Sequence, residues 1–140
     1  MRDEMLEKVQ TDKAPKPVGP YSQGIVARKI LCSEGKECSI LFISGMIPVD
    51  PETGKPVEGG VEEQARRCLL NIKAVVEAAG GRLEDIAKVT VFLSDISNFD
   101  SFNKVYSEFF KDHKPARSVI GAKPPRGYEV EVEAIAVIYK

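Results

Sequence analysis

The sequence predicts an α+β fold: one mixed β-sheet with two helices packed on a single face. Two stretches carry helical periodicity with a clear apolar stripe, and several short runs rich in Val, Ile and Leu sit between turn signals. The order strand-strand-strand, helix, strand, helix, strand, strand fits two amphipathic helices laid on one side of one sheet. The 140 residues suit one core, and we expect a single domain over residues 1–140.

Met5 to Gln10 reads as a short first strand. Lys13 to Pro20 is irregular, because Pro15, Pro17 and Pro20 remove backbone donors and fix φ. Gly24–Cys32 and Cys38–Ser44 form a hairpin pattern around a polar, turn-like stretch. Its two cysteines have two readings: separate reduced thiols, or a disulfide across the hairpin tip. The spacing Cys-x5-Cys with no nearby partner is not a zinc pattern. Pro48 to Gly54 carries turn chemistry throughout.

Val61 to Ala79 is the clearest helix. Val61, Ala65, Cys68, Leu69, Ile72, Val75, Val76 and Ala79 share one face, so Cys68 is expected as a plain buried thiol. Glu62–Arg66 and Glu63–Arg67 are spaced for i,i+4 pairing, and Gly80-Gly81 supplies the stop. Ile86 to Leu93 reads as a buried strand. Ser97, with Asp100 three residues on, predicts the capped start of a second helix. Phe99, Phe102, Tyr106, Phe109 and Phe110 form that helix's apolar stripe, expected as core. Arg117 to Ala122 and Tyr128 to Tyr139 complete the strands. The sheet face away from the helices then needs cover, and oligomerisation supplies it most simply at this length.

Composition excludes several functions. Basic and acidic side chains nearly balance, 20 against 21, so no field invites nucleic acid or an anionic membrane. The charged N-terminal stretch lacks the apolar core of a signal peptide, and no apolar run reaches membrane-spanning length, so a soluble cytoplasmic protein is expected. The single histidine, His113, lies in a charged run and is expected at the solvated surface; no nucleophile has a supporting triad context. Glycine-rich nucleotide loops and metal-ligand spacings are absent from the sequence. Any site must rest on carboxylates, Arg, Tyr and backbone groups.

Two features meet that description. Arg117 heads an apolar strand in Pro115-Ala116-Arg117-Ser118; it is either a surface or ion-paired arginine or a fork for a substrate carboxylate. Alternation over Val130–Val137 puts Glu129, Glu131 and Glu133 on one face with Ile135 and Val137. That face is either solvated, or it desolvates a glutamate and raises its pKa toward acid-base use.

The motifs together resemble one family. Gly19-Pro20-Tyr21-Ser22-Gln23, Ser44-Gly45-Met46-Ile47-Pro48 with Asp50 to Gly54, Gln64 to Gly80, Val89 to Asp95 with Phe99, Asn103 and Tyr106, Pro115 to Ser118, and Val130 to Ala136 match, in order, the signatures of the reactive-intermediate deaminases (Rid, formerly YjgF) from about Ala14 to Lys140. The resemblance implies a chorismate-mutase-like fold and a homotrimer with sites in the clefts between subunits. It implies hydrolysis of 2-imino acids or their enamine tautomers, 2-aminoacrylate and 2-iminobutanoate, to 2-keto acids and ammonia. No metal or organic cofactor is implied. Arg117 would bind the substrate carboxylate, and Glu131 would activate water and manage protons. Tyr21 and Asn103 would line the pocket, Ser44 and Gly45 would shape it, and Val119 would contact substrate through its backbone.

This chain departs from the family pattern in three places. Val119 stands where deaminating members often have cysteine, Met46 replaces a usual glutamine, and the hairpin from Arg28 to Ser39 is long. The first two favour a competing reading, a non-catalytic trimer that binds small carboxylates as a regulator or holdase. Endoribonuclease, an activity associated with some relatives, is a third; the absence of a basic stripe with interleaved aromatics counts against it.

Overall fold

Strand propensity and helical periodicity translate into one six-stranded sheet with two helices across one face. A computed structural model describes residues 5–139. In chain order the elements are β1 (Leu6–Val9), β2 (Gly24–Leu31), β3 (Glu37–Met46), β4 (Val49–Asp50), β5 (Lys55–Pro56), α1 (Val61–Ala78), β6 (Ile86–Leu93), α2 (Phe99–Phe110), β7 (Ala116–Gly121) and β8 (Val130–Tyr139). The main sheet runs β1-β2-β3-β8-β6-β7. All neighbours are antiparallel except β6 and β7, whose parallel pairing requires a crossover, supplied by α2. The loop read as plain turn pairs briefly as the ribbon β4–β5. None of the described helices is long and apolar enough to cross a membrane.

The core lies between the helices and the sheet. Ala65, Cys68, Leu69, Ile72, Val75 and Val76 of α1 are fully buried, as the spacing predicts. They meet the alternate residues of the central strands: Val89, Val91 and Leu93 of β6, and Val130, Val132, Ala134 and Ala136 of β8. Each such Leu or Ile contributes about 1.5–3 kcal/mol of burial. The Cys68 thiol lies 3.6 Å from the Val130 carbonyl, and burial pushes its pKa up, which makes it an inert core group.

Several local expectations are corrected by better partners. Glu63 does not pair with Arg67: its carboxylate accepts from the Gly60 amide (2.9 Å), while Arg67 donates to Asn71 (3.1 Å). Glu62 reaches Lys104 on α2 instead of Arg66. Ser97 does not cap α2. Asp95 accepts from the Ser97 amide (2.9 Å), and a 3-10 turn over Ile96–Asn98 leads into the helix. His113 is half-buried, and its Nε2 lies 2.8 Å from the Ile86 carbonyl, tying the turn after α2 to β6. The aromatic stripe divides: Phe102 and Phe110 are core, whereas Phe99 remains exposed. Cys32 and Cys38 are joined across the hairpin tip, with Cα atoms 5.6 Å apart, inside the usual range for a disulfide. The extra hairpin length holds a bulge between Ala27 and Ile30, where Lys29 takes a left-handed conformation.

Two buried amides hold the irregular loops. Gln23 accepts from the Thr11 amide (2.7 Å) and donates to the carbonyls of Thr11, Ala14 and Pro15 (3.0, 3.2 and 2.8 Å). It thereby satisfies backbone groups that a proline-rich segment cannot pair in a ladder. Asn71 donates to the carbonyls of Ile47 and Val49 (3.0 and 3.1 Å). Gln23→Leu is expected to lower stability by about 2–3 kcal/mol, because it strands these buried groups. Thermal melting should show the drop, roughly 5–10 °C at this size; an unchanged midpoint would sink the pinning role.

Candidate functional site

The predicted site residues fall into two groups on opposite faces of the sheet. Glu131 alternates in β8 with Val130 and Val132, which are buried under the helices, so its carboxylate emerges on the other, open face. There it joins Tyr21, Ser44 and Gly45 in a cleft of about 540 Å³ that also includes Ile47, Pro125 and Glu133.

Local structure explains how each member is held. The Ser44 hydroxyl donates to the Ser22 carbonyl, and its amide donates to the Gln23 carbonyl (2.9 Å), joining the end of β3 to the Gly19–Gln23 segment. The Tyr21 hydroxyl accepts from the Val18 amide (3.1 Å), which folds its exposed ring back over its own loop. Gly45 leaves room for the Glu131 carboxylate. A β-carbon there would collide with the Glu131 carboxylate, whose Cδ would be only 2.9 Å away. The carboxylate thus lies directly against the β3 backbone. Burial, and secondarily the neighbouring Glu133 charge, raises the Glu131 pKa above the ordinary carboxylate range.

The second group sits on the helix side at the β7 edge. Arg117 is paired in register with Val89, and through it with Ala134, both buried beneath the helices. Its guanidinium Nη1 donates to Asn103 Oδ1 (2.8 Å), while its Cζ lies 4.6 Å from the Tyr106 ring centre and 5.6 Å from that of Phe99. These residues open on a depression of about 350 Å³ that includes Asn103, Tyr106, His113 and Arg117. Among the described residues no carboxylate is within ion-pair distance of Arg117. An ion pair at Arg117 therefore does not form among the described residues, while a plain surface arginine and a carboxylate fork both remain compatible with the geometry.

Within one chain Arg117 and Glu131 do not converge. Two strand spacings, about 10 Å, separate β7 from β8, and the two side chains leave opposite faces. Val119 packs partly buried against the core, and Met46 is buried at the end of β3. Neither substituted side chain is presented in the Glu131 cleft. A larger cavity, about 690 Å³, lies between the Pro15–Val18 loop, the Pro51–Pro56 turn and Arg126. It contains none of the candidate residues, and its charged lining is exposed Lys16, Glu52 and Arg126. The two smaller clefts, with a desolvated carboxylate and an uncompensated guanidinium, are the better chemical candidates.

The open face is apolar beyond the Glu131 cleft. Phe42 of β3 and Ile135 of β8 are register partners, exposed to 47% and 36%, and Val137 is exposed to 40%. These exposed apolar side chains lie side by side on the sheet face that the helices leave uncovered.

A mixed sheet with two helices on one side is the architecture of the Rid/YjgF class. The chain belongs to the endoribonuclease L-PSP family, whose sequence model matches residues 11–138. It is 46% identical over 131 residues to a RutC family protein of Pyrococcus abyssi, covering 93% of this chain and 95% of that protein. It is 42% identical over 137 residues to the 2-iminobutanoate/2-iminopropanoate deaminase of Salmonella typhimurium, covering 95% and 98%. Among solved structures it resembles Escherichia coli TdcF with bound serine, with a TM-score of 0.79, 41% identity, and coverage of 94% and 98%.

Proposed function

We propose that this protein hydrolyses 2-imino acids and their enamine tautomers to 2-keto acids and ammonia, in clefts between the subunits of a homotrimer. The observation that carries the proposal is the division of the site. A guanidinium with no carboxylate partner among the described residues stands on one face, a partly desolvated glutamate on the other, and exposed apolar side chains adjoin the latter. A neighbouring copy docked on that face would bring one chain's Arg117 to the other's Glu131. The naming of a 42% identical relative as a deaminase, and of a related structure as binding serine, supports a small amino-acid-like substrate bearing a carboxylate.

The chemistry follows from the groups. Arg117 grips the substrate carboxylate with the donors that Asn103 leaves open. An enamine first takes a proton at C3 to become the iminium. Glu131 accepts a proton from water as the water oxygen bonds to C2 and the C=N π pair moves to nitrogen. The resulting carbinolamine receives that proton on nitrogen from Glu131, the C–N bond breaks with its pair leaving as ammonia, and the hydroxyl proton passes to the freed Glu131 carboxylate, and from it to water, as the C2 ketone forms. No covalent nucleophile is needed, because the iminium carbon is already electrophilic; orientation and a poised water carry the rate. We place the enzyme in the cytoplasm, with the pyridoxal-phosphate dehydratases that would generate its substrates.

The test is a coupled assay in which a threonine or serine dehydratase generates the imine and semicarbazide competes for it. Wild type should divert flux from semicarbazone to keto acid, and Arg117→Ala and Glu131→Ala should not. A wild type indistinguishable from the protein-free control on both substrates would instead favour a carboxylate-binding trimer, and RNA binding with steep salt dependence an endoribonuclease. Light scattering should give a trimer; a monomer would refute the shared cleft. Gly45→Ala is expected to fold but to lose about 10–100-fold in turnover, since its methyl displaces the Glu131 carboxylate. Turnover within twofold of wild type would show that the carboxylate's seat is not critical.

A further inference from the structure

The core does not account for Phe99, and it accounts for Tyr106 only in part: the Tyr106 ring packs on Phe102 and Phe110, with centroids 5.6 and 4.6 Å away. Phe99 is the first residue of α2 and is 38% exposed, while Phe102, Val105 and Phe110 fill the buried side of the same helix. The Tyr106 hydroxyl is buried, yet it has no hydrogen-bond partner among the described residues. What the two rings share is Arg117: its guanidinium carbon lies 4.6 Å from the Tyr106 centroid and 5.6 Å from the Phe99 centroid, both within cation–π range. Phe99, Asn103 and Tyr106 follow one another at i, i+4 and i+7, so one stripe of α2 supplies both rings and the amide oxygen that accepts from Nη1.

We propose that Phe99 and Tyr106 are positioning residues, an aromatic clamp that orients the Arg117 guanidinium so that its unused donors present a preformed fork to a planar substrate carboxylate. The proposal rests on the function proposed above. The physical case is that an arginine on an edge strand would otherwise swing among many rotamers, and a substrate would have to order it on binding. Rings are suited to this task where a carboxylate is not. They attract the cation and limit its motion, but they bring no formal negative charge to compete with the incoming anion. Asn103 adds a neutral acceptor on one edge, leaving Nε and Nη2 to pair with two oxygens. Burial pushes the Tyr106 phenol up to about 12, opposed by the Arg117 charge, so the clamp also remains uncharged at any working pH.

The test measures binding of 2-oxobutanoate, a stable carboxylate of the product class, by titration calorimetry on the assembled protein, alongside the coupled assay. Phe99→Leu is expected to weaken binding about 3–10-fold, and Tyr106→Leu about 10-fold, in line with the strength of cation–π contacts. Tyr106→Phe, which keeps the ring, should bind within twofold of wild type. In the coupled assay Phe99→Leu should raise the apparent KM and leave kcat near wild type, a split that a merely structural role would not give. Phe99 is exposed, so its variant keeps the test valid if Tyr106→Leu fails to fold. If Phe99→Leu binds and turns over as wild type while Arg117→Ala loses both, the clamp is wrong and the deaminase reading survives. If Arg117→Ala itself binds and turns over normally, the anchor role falls and the clamp falls with it.

Discussion

Glu131→Gln is expected to abolish imine hydrolysis, by about 10²-fold or more, without weakening the fold. The amide keeps the size of the carboxylate and its seat against Gly45, so only the proton acceptor is lost. The same residue sets a pH dependence. The proposed hydrolysis uses the carboxylate form, so activity should rise with pH through a midpoint above the ordinary value of 4.5, because burial and the Glu133 charge favour the protonated form. Stability runs the other way. A carboxyl whose folded pKa is raised contributes stability that is fully present below its unfolded pKa and is lost as pH rises through the folded one. The variant should therefore melt with wild type near about pH 4 and at or above it near about pH 8, where wild type holds a charge the fold disfavours. Loss of activity together with loss of stability at neutral pH would mean that Glu131 serves the structure. A pH profile unchanged by the substitution would assign proton transfer to another group.

The second large effect is expected at Arg117. Arg117→Ala should bring semicarbazone formation back to the protein-free level, since two charge-assisted hydrogen bonds to the substrate are lost, together about 3–6 kcal/mol. Arg117→Lys should recover only part of the activity, because an ammonium keeps the charge but not the planar fork. The fold should tolerate both, as no carboxylate among the described residues is left unpaired by the change. Equal turnover by the lysine variant and wild type would show that charge alone suffices.

Much of the scaffold was legible because period and punctuation agreed. Val61 to Ala79 reads as a helix from its apolar spacing, and Gly80 ends it with the positive φ (88°) that glycine accommodates. Ile86–Leu93 is a strand with the predicted limits. The alternation in β8 separates Glu131 from Val130 and Val132 as expected. What could not be read was which polar side chains turn inward. Gln23 and Asn71 belong to recognised motifs, but an amide in sequence looks like any surface amide; only a loop rich in proline nearby hints that its carbonyls need donors from elsewhere. The charge pairs predicted on α1 failed for a related reason. Glu63 and Arg67 found a backbone amide and a buried asparagine, partners invisible to i,i+4 spacing. The aromatic stripe of α2 was read as core because helical spacing does not distinguish residues facing the sheet from those facing its edge. Nor does any motif reveal that Arg117 and Glu131 emerge on opposite faces: strand order and register decide that, and both depend on pairings distant in sequence.

That opposition has a genetic consequence. In the trimer proposed above, each cleft would take its anchor from one chain and its base from the neighbour. Two alleles, each dead alone, one lacking the arginine and one the glutamate, would complement in a cell that expresses both. With random assembly from equal amounts, about a quarter of the clefts would draw both intact groups, one from each kind of chain. Another quarter, roughly, would lack both, so the mixture would run at close to one-fourth of the normal rate rather than at zero.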